Sequence, residues 1–220
     1  MALIDIVSSD VKRFLDTNKE LLFNERDLQM HLATYLRQNG PYDDIDLEYY
    51  VPVIELDGYK DIWDTELRMD VVVRRGDEFV PIELKYKTKR VTKALPRFGE
   101  SVKEKVEVMK NQGAQDLGMY DFWKDVRRIE LVRKRFKKVK NGLAVFVTND
   151  ERYKKPSRSD SNHANMSMIE GPHSYKKHWL IKESKCCTTH PDFEVEKDYS
   201  IHWNSTTNEG EEIYYTLLTI

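Results

Sequence analysis

A chain of 220 residues with 40% hydrophobic and 11% aromatic side chains can bury the core of one large domain, which excludes global disorder. Its formal charge of -2 neither favours nor excludes nucleic acid as a partner. No apolar run reaches the roughly 18–20 residues of a membrane span, and no secretory signal pattern opens the sequence, so we expect a soluble, cytoplasmic protein.

Two amphipathic helices are predicted at the start of the sequence. The first runs from Met1 to about Thr17, where apolar residues recur at helical spacing. The second begins after Asn24, a good N-cap, and ends at Gly40-Pro41. We interpret His31, on the apolar face of the second helix, as a packed core residue rather than a ligand.

Three strands are predicted next. Apolar residues alternate with other residues between Asp46 and Leu56, which indicates the first strand. The segment Arg68–Lys85 reads as a hairpin, with Gly76 and Asp77 as its turn. Pro81 lies inside the third strand, where a residue without an N–H is normally confined to edges or bulges. A bulge there would shift the register by one residue.

Helices and a buried strand are predicted after the hairpin. Apolar residues recur at helical spacing in Ser101–Gln112 and again from Gln115 to about Arg135. The continuous apolar run Gly142–Thr148 is typical of a strand covered on both faces. Residues 154–172 read as a polar surface loop, and strands are expected at 174–181, 193–203 and 212–220. The prediction is one α/β domain over 1–220, with a mixed central sheet flanked by helices and a β-rich part at 150–220.

Two further clusters have both a functional and a structural interpretation. Eight basic residues against a single Glu lie between Arg127 and Lys140, and such a strip either tracks phosphates or is a solvated helix end. Cys186 and Cys187 are adjacent, and neighbouring cysteines rarely form a disulfide, which indicates a reducing compartment. With His190 they could contribute to a metal site, although the usual Cys-x-x-Cys spacing is absent.

The hairpin carries the residues best suited to chemistry. Counting back from the turn puts Asp70 opposite Glu83, and strand alternation puts Lys85 on the face of Glu83. Facing carboxylates repel each other, so this pair calls for a cation. The alternative is that Glu83 and Lys85 make solvent-side ion pairs, with Asp70 paired to Arg68 or Arg74. Exposed pairs of this kind contribute only about 0–1 kcal/mol each.

This order of elements, with Asp-x12-Glu-x-Lys across the hairpin, resembles the PD-(D/E)XK nuclease superfamily, which has the restriction-endonuclease-like fold. The resemblance spans about residues 24–148. The first motif reads Met69-Asp70, without the nominal proline, and the second reads Glu83-Leu84-Lys85. Glu25 matches the acidic residue that such families often carry on the N-terminal helix.

The resemblance implies a catalytic set of Asp70, Glu83, Lys85 and Glu25. It implies Mg²⁺, with Mn²⁺ as a substitute, held by Asp70, Glu83 and a backbone carbonyl near Leu84, while Glu25 holds a second or a hydrated first ion. Hard divalent cations take oxygen ligands of this kind and lower the pKa of bound water. Lys85 would orient or deprotonate that water, or steady the phosphate.

The expected activity is therefore Mg²⁺-dependent hydrolysis of phosphodiester bonds in nucleic acid. DNA is a better expected partner than RNA, no membrane is expected, and a homodimer stays open. The rival is a non-catalytic nucleic-acid or protein-binding module on the same fold, motivated by Met69 in place of the proline. A purely structural interaction protein is a third candidate. Gln115 and Tyr120 have a spacing that in some branches belongs to residues shaping the site.

Overall fold

The structure, a computed structural model, describes all of residues 1–220. The helices are α1 (Leu3–Thr17), α2 (Glu25–Asn39), α3 (Tyr59–Ile62), α4 (Gln115–Arg135) and α5 (Lys185–Thr189). The strands are β1 (Asp44–Val51), β2 (Leu67–Arg75), β3 (Glu78–Lys87), β4 (Val91–Lys93), β5 (Val106–Met109), β6 (Leu143–Thr148), β7 (Gly171–His173), β8 (Lys176–Lys177), β9 (Phe193–Glu194), β10 (Tyr199–Ile201), β11 (Trp203–Asn208) and β12 (Glu211–Thr219). Short 3₁₀ turns lie at Val53–Glu55, Glu151–Lys154 and Ala164–Met166.

A six-stranded mixed sheet in the order β1-β2-β3-β6-β12-β11 is the centre of the fold. Strands β3 and β6 are parallel and the other neighbours are antiparallel. Every residue of β6 is buried, which confirms the strand predicted from the apolar run Gly142–Thr148. The mixed α/β architecture is thus confirmed, and the last part of the chain adds β11 and β12 to the same sheet.

Each face of the sheet is covered by its own hydrophobic core. Helices α1 and α2 pack on one face, with Leu28 and Val7 against Val73 and Leu84 of the sheet. Helix α4 and segments of the last third pack on the other face, with Trp123 as a large buried side chain. None of the helices is long and apolar enough to cross a membrane.

Local sequence signals explain where the helices begin and end. The side chain of Asn24 accepts a hydrogen bond from the Asp27 N–H at 3.0 Å, as expected of an N-cap, and α2 ends at Gly40. The interpretation of His31 was wrong, because this residue is exposed and its Nε2 lies 3.6 Å from Asp27 Oδ1. The buried stripe of α2 follows Leu28 and its i+4 successors, and His31 lies off that stripe.

The helix predicted at Ser101–Gln112 is wrong. Residues 106–109 form β5, which pairs antiparallel with β4. Of the residues that suggested a helix, Val102 and Val106 are exposed and only Met109 is buried, so a helix in this segment would have had no face to bury. The Gln112 N–H instead donates to the Thr88 carbonyl at 2.8 Å and holds the end of this segment beside β3.

The last third also differs in part from its prediction. The expected surface loop contains Met166 and Met168, both fully buried against α4. The strands predicted at 174–181 and 193–203 are divided into short strands with the helix α5 between them. The predicted strand at 212–220 is observed as β12.

Lys177 is a buried cation in this part of the structure. Its side chain is fully buried, and its Nζ lies 3.3 Å from the centroid of the Trp123 ring without a hydrogen-bond partner. Burial lowers the pKa of Lys177 to about 7, against a weaker attraction from Asp198. The charged form is therefore disfavoured in the folded state relative to the unfolded chain.

Replacing Lys177 by Met should stabilise the fold at pH 7 by roughly 1–3 kcal/mol, since the cost of burying the ammonium exceeds its attraction to the indole ring. The unfolded chain holds this proton up to a higher pH than the folded chain does. Wild-type stability therefore rises between about pH 7 and pH 10, and the advantage of the variant shrinks over that range. Urea unfolding at pH 7 and pH 10 measures both effects.

The control is Lys176→Met, because Lys176 precedes Lys177 in the same strand but is exposed. This variant should unfold as the wild type does at both pH values. Equal stability of Lys177→Met and wild type at pH 7 would contradict the account of Lys177.

Candidate active site

The hairpin holds the predicted register. Strands β2 and β3 pair antiparallel from Arg75↔Glu78 to Val71↔Ile82 without a shift. Gly76 has φ +58°, as a tight two-residue turn requires. The alternative with a bulge at Pro81 is therefore wrong.

The ladder tolerates Pro81 for a geometric reason. The Phe79 N–H donates to the Lys138 carbonyl at 3.0 Å, so odd-numbered residues of β3 direct their nitrogens toward the side on which β6 lies. Strand β6 begins only at Leu143, which pairs with Ile82. The missing N–H of Pro81 thus falls in the interval before the parallel ladder begins, where no strand donor is needed.

The pairing of β2 with β3 stops one residue pair before Asp70 and Glu83. The Leu84 N–H donates to Asp70 Oδ2 at 2.6 Å. Opposite Asp70 on β1, Glu48 has φ +51°, a conformation that is uncommon for a non-glycine residue. The sheet is therefore locally irregular where the two predicted carboxylates meet, a feature common beside functional sites.

Alternation along β3 separates the motif residues as predicted. Leu84 is fully buried in the core beneath α1 and α2. Glu83 and Lys85 point the other way, toward α4. Asp70 interacts electrostatically with both of them, since it contributes to the pKa shifts of each.

Helix α4 supplies two partners that the sequence analysis did not identify. Lys85 Nζ lies 3.2 Å from Asp125 Oδ2 and Arg128 Nη1 lies 3.3 Å from Asp125 Oδ1. Arg128 Nη1 is also 3.9 Å from Glu83 Oε1. Glu83 and Asp125 are only 3% and 2% exposed, so this ion network is buried.

A sequence signal for these partners exists. Asp121, Asp125 and Arg128 follow one another at i, i+4 and i+7, so they share one face of α4. That face meets β3, where Asp121 Oδ2 lies 3.4 Å from Lys87 Nζ. A charged stripe on an otherwise apolar helix was the available indication.

Glu25 is brought to the site by the first turn of α2. Its Oε2 accepts a hydrogen bond from the Tyr86 N–H at 2.9 Å, and its Oε1 lies 3.8 Å from Lys85 Nζ. Gln29, one turn further, donates to the Asp70 carbonyl at 2.7 Å and to Glu48 Oε1 at 2.9 Å. Lys85 therefore stands between Glu25 of α2 and Asp125 of α4.

A polar groove of about 380 Å³ opens beside these residues. Glu25 and Asp70 line it, whereas Glu83 and Lys85 do not. The groove is completed by Asn24, Arg26, Gln29, Glu48, Tyr86, Lys87 and Gln112. The four predicted catalytic residues are thus divided: two line an open groove, and the other two belong to the buried ion network.

The electrostatics of the site follow from burial. Burial raises the pKa of Asp70 to about 6, with repulsion from Asp125 in the same direction and the Leu84 N–H opposing it. Burial, and then repulsion from Asp125 and Asp70, raises the pKa of Glu83 well above its usual range. Burial would lower the pKa of Lys85, but attraction to Asp125, Glu25 and Glu83 outweighs it and the pKa is raised.

The solvent-side ion pairs considered as the alternative for Asp70 are absent. Arg68 pairs with Glu66 at 3.5 Å, and Arg74 pairs with Asp43 at 3.6 Å. Neither arginine pairs with Asp70.

Three other predicted features lie outside the site, apart from Arg128 of the basic strip. Much of the basic strip 127–140 is neutralised, for example Arg127 by Glu130 at 3.0 Å and Lys138 by Asp77 at 3.2 Å. Gln115 donates to Asp150 Oδ2 at 3.1 Å, and Tyr120 donates to the Pro191 carbonyl at 2.9 Å, so neither shapes this site. Cys186 and Cys187 are free thiols on α5.

The fit to a divalent cation rests on the donor set at Asp70 and Glu83. No group of three or more His, Cys, Asp or Glu side chains is arranged to hold a metal. Mg²⁺, however, is commonly held by one or two carboxylates with waters and substrate oxygens. Glu83 Oε1 is buried without a hydrogen-bond donor, which is an unsatisfied ligand of the kind a cation would complete. Asp70 and Glu83 therefore fit Mg²⁺ as part of its coordination shell, which waters and substrate oxygens would complete.

Comparison with protein-family models, with curated proteins and with solved structures finds no match to this chain.

Removing Arg128 should destabilise the fold strongly. In Arg128→Met, Glu83 and Asp125 stay buried after losing a cation, and breaking a buried pair in this way costs about 3–5 kcal/mol. Chemical unfolding at pH 8 measures the loss.

Arg133→Met is the matched control on the same helix, since Arg133 lies at 4.0 Å from Glu196 in a more exposed pair. Its loss should cost less than about 1 kcal/mol. Equal stabilities of the two variants would contradict the role given to Arg128.

Proposed function

We propose that the chain is a Mg²⁺-dependent nuclease of the restriction-endonuclease-like class, which hydrolyses phosphodiester bonds of DNA in preference to RNA. The observation that carries the proposal is that Asp70 and Glu83 directly follow Val71↔Ile82, the last pair of the β2–β3 ladder, with Lys85 and Glu83 both directed toward α4. The preference for DNA comes from the family resemblance alone.

The excess of negative charge supports a cation at this place. Within 4.0 Å, Glu83, Asp125 and Glu25 have two cations between them, Lys85 and Arg128, and Asp70 has none. Buried carboxylates without enough positive charge either take up protons or bind a metal. Burial first, and this imbalance in addition, raise the pKa values of Asp70 and Glu83 when no metal is bound.

Each residue has a role that its surroundings allow. Asp70 and Glu83 would hold Mg²⁺, together with a backbone carbonyl near Leu84, and Glu25 would bind a hydrated ion at the mouth of the groove. When bound, Mg²⁺ lowers the pKa of a coordinated water and offsets charge on the phosphate. Lys85, kept protonated by Asp125 and Glu25, would donate to a phosphate oxygen rather than act as the base.

Substituting the three motif residues should remove cleavage, and Lys85→Met should also lower the unfolding temperature because it takes a cation from buried Asp125. Asp70→Asn, Glu83→Gln and Lys85→Met should each lower Mg²⁺-dependent nicking of supercoiled plasmid by at least about 100-fold. Circular dichroism and thermal unfolding report whether the fold is kept.

Lys155→Met is the control, because Lys155 is exposed, pairs with Glu151 at 2.7 Å and does not line the groove. It should cleave within a few-fold of wild type. Undiminished Mg²⁺-dependent activity in purified Asp70→Asn would refute the proposal.

Metal binding can be measured without activity. Millimolar Mg²⁺ should raise the unfolding temperature of the wild type, since a ligand that binds only the folded state stabilises it. The increase should be absent in Asp70→Asn and present in Lys155→Met. No shift with either Mg²⁺ or Mn²⁺ in the wild type would count against a metal at this site.

A non-catalytic binding module on the same scaffold is the second candidate. It is favoured by one observation, namely that Glu83 and Lys85 already have partners on α4 and do not line the groove. In that case the network would only fix α4 to the sheet. Nucleic-acid binding that is independent of metal, with no nicking under Mg²⁺ or Mn²⁺, would select this candidate.

A further inference from the structure

An arm leaves the sheet directly after the motif strand. We call residues 91–109 the β4–β5 arm, because β4 and β5 pair and residues 94–105 join them. Its base is fixed, since the Thr88 hydroxyl donates to the Lys110 carbonyl at 2.7 Å and the Lys89 N–H donates to Asn149 Oδ1 at 2.7 Å. Gln112, which follows the arm, lines the groove that contains Glu25 and Asp70.

The outer end of the arm is a tight turn that presents an aromatic ring. Arg97 and Glu100 exchange two backbone hydrogen bonds of 2.9 Å, which leaves Phe98 and Gly99 as the two central residues. Both have positive φ, +53° and +80°, the signs of a type I′ turn. The Phe98 side chain is fully exposed.

Phe98 is an unfavourable residue for this turn. Type I′ turns favour Asn-Gly or Asp-Gly, because a residue with a Cβ is strained at positive φ and Asn tolerates it best. A bulky aromatic residue with positive φ is an outlier that calls for an explanation. The Phe98 ring gains no burial that would offset its backbone strain or its exposure to water.

The end of the arm lies beside the groove. The Arg97 guanidinium carbon is 5.5 Å from the centroid of the Phe23 ring. Phe23 is two residues before Glu25, which lines the groove. The turn that carries Phe98 therefore contacts, through Arg97, the segment that leads into Glu25 of the groove.

The net positive charge of the arm indicates which kind of partner it would bind. Residues 88–112 carry seven Lys or Arg residues against three Glu. Arg90 and Lys93 have acidic partners, at 2.7 Å and 3.2 Å, but Lys103 and Lys105 have none within 4.0 Å. An exposed aromatic ring on an arm that also carries unpaired cations is a combination that binds single-stranded nucleic acid, by base stacking and phosphate attraction.

We infer that Phe98 stacks on an unpaired base of the nucleic-acid substrate, and that the substrate class is nucleic acid with single-stranded or splayed bases beside the cleaved bond. The inference rests on the proposed nuclease function. It assigns to the β4–β5 arm the task of holding a strand over the groove, with Phe98 as a positioning residue and Lys103 and Lys105 near the phosphates.

The test compares binding of a fluorescently labelled single-stranded oligonucleotide with that of its duplex, in EDTA so that metal-dependent cleavage does not proceed. Phe98→Asn removes the ring but suits the turn, so its unfolding temperature should equal or exceed that of the wild type. Its affinity for the single strand should fall by about 10-fold or more, and its affinity for the duplex by less. Phe98→Trp should bind the single strand as the wild type does.

Ile54→Ala is the control for loss of an exposed apolar side chain, since Ile54 is 83% exposed and lies outside the arm. Unchanged single-strand affinity in Phe98→Asn, with cleavage by the wild type intact, would overturn this inference and leave the nuclease proposal standing. A wild type that neither binds nor cleaves nucleic acid would overturn both. A third outcome would also overturn the inference: the wild type binds anionic phospholipid vesicles, Phe98→Asn does not, and the affinity for the oligonucleotide is the same in both. The ring would then be assigned to a membrane surface.

Discussion

Charged groups removed from water require partners, and the space between β3 and α4 contains more negative than positive ones. Glu83 and Asp125 are almost completely buried there, with Arg128 and Lys85 as the cations within 4 Å of them. Asp70 adds a third carboxylate from the neighbouring strand. Burial and this imbalance together raise the pKa values of Asp70 and Glu83, and the imbalance is the reason to expect a bound cation.

Much of the fold could be predicted because its signals are local. The apolar periodicity of α1 and α4, the cap at Asn24 and the turn at Gly76 act over a few residues, and these elements are found where they were predicted. The helix prediction around Val106 was wrong because the apolar spacing there also suits a helix. The segment instead pairs with β4, from which a loop separates it in sequence. Likewise, the burial of Met166 depends on contacts with α4 that no local pattern encodes.

The candidate site was predictable only along the hairpin and at Glu25. Strand alternation and a two-residue turn determine where Asp70, Glu83 and Lys85 point, so counting residues was sufficient. The contribution of Asp125 depends on the rotation of α4 about its axis, which tertiary packing sets. The division between open groove and buried network likewise depends on how α2 and α4 approach β3 from different sides.

The most direct measurement is a crystal structure of the wild type grown with Mn²⁺, with anomalous diffraction recorded at the manganese absorption edge. The account predicts one strong anomalous peak between the carboxylates of Asp70 and Glu83, with Glu83 Oε1 among the ligands. Absence of any peak there at millimolar Mn²⁺, with Glu83 still paired only to Arg128, would contradict the central claim and leave the network as a purely structural clamp.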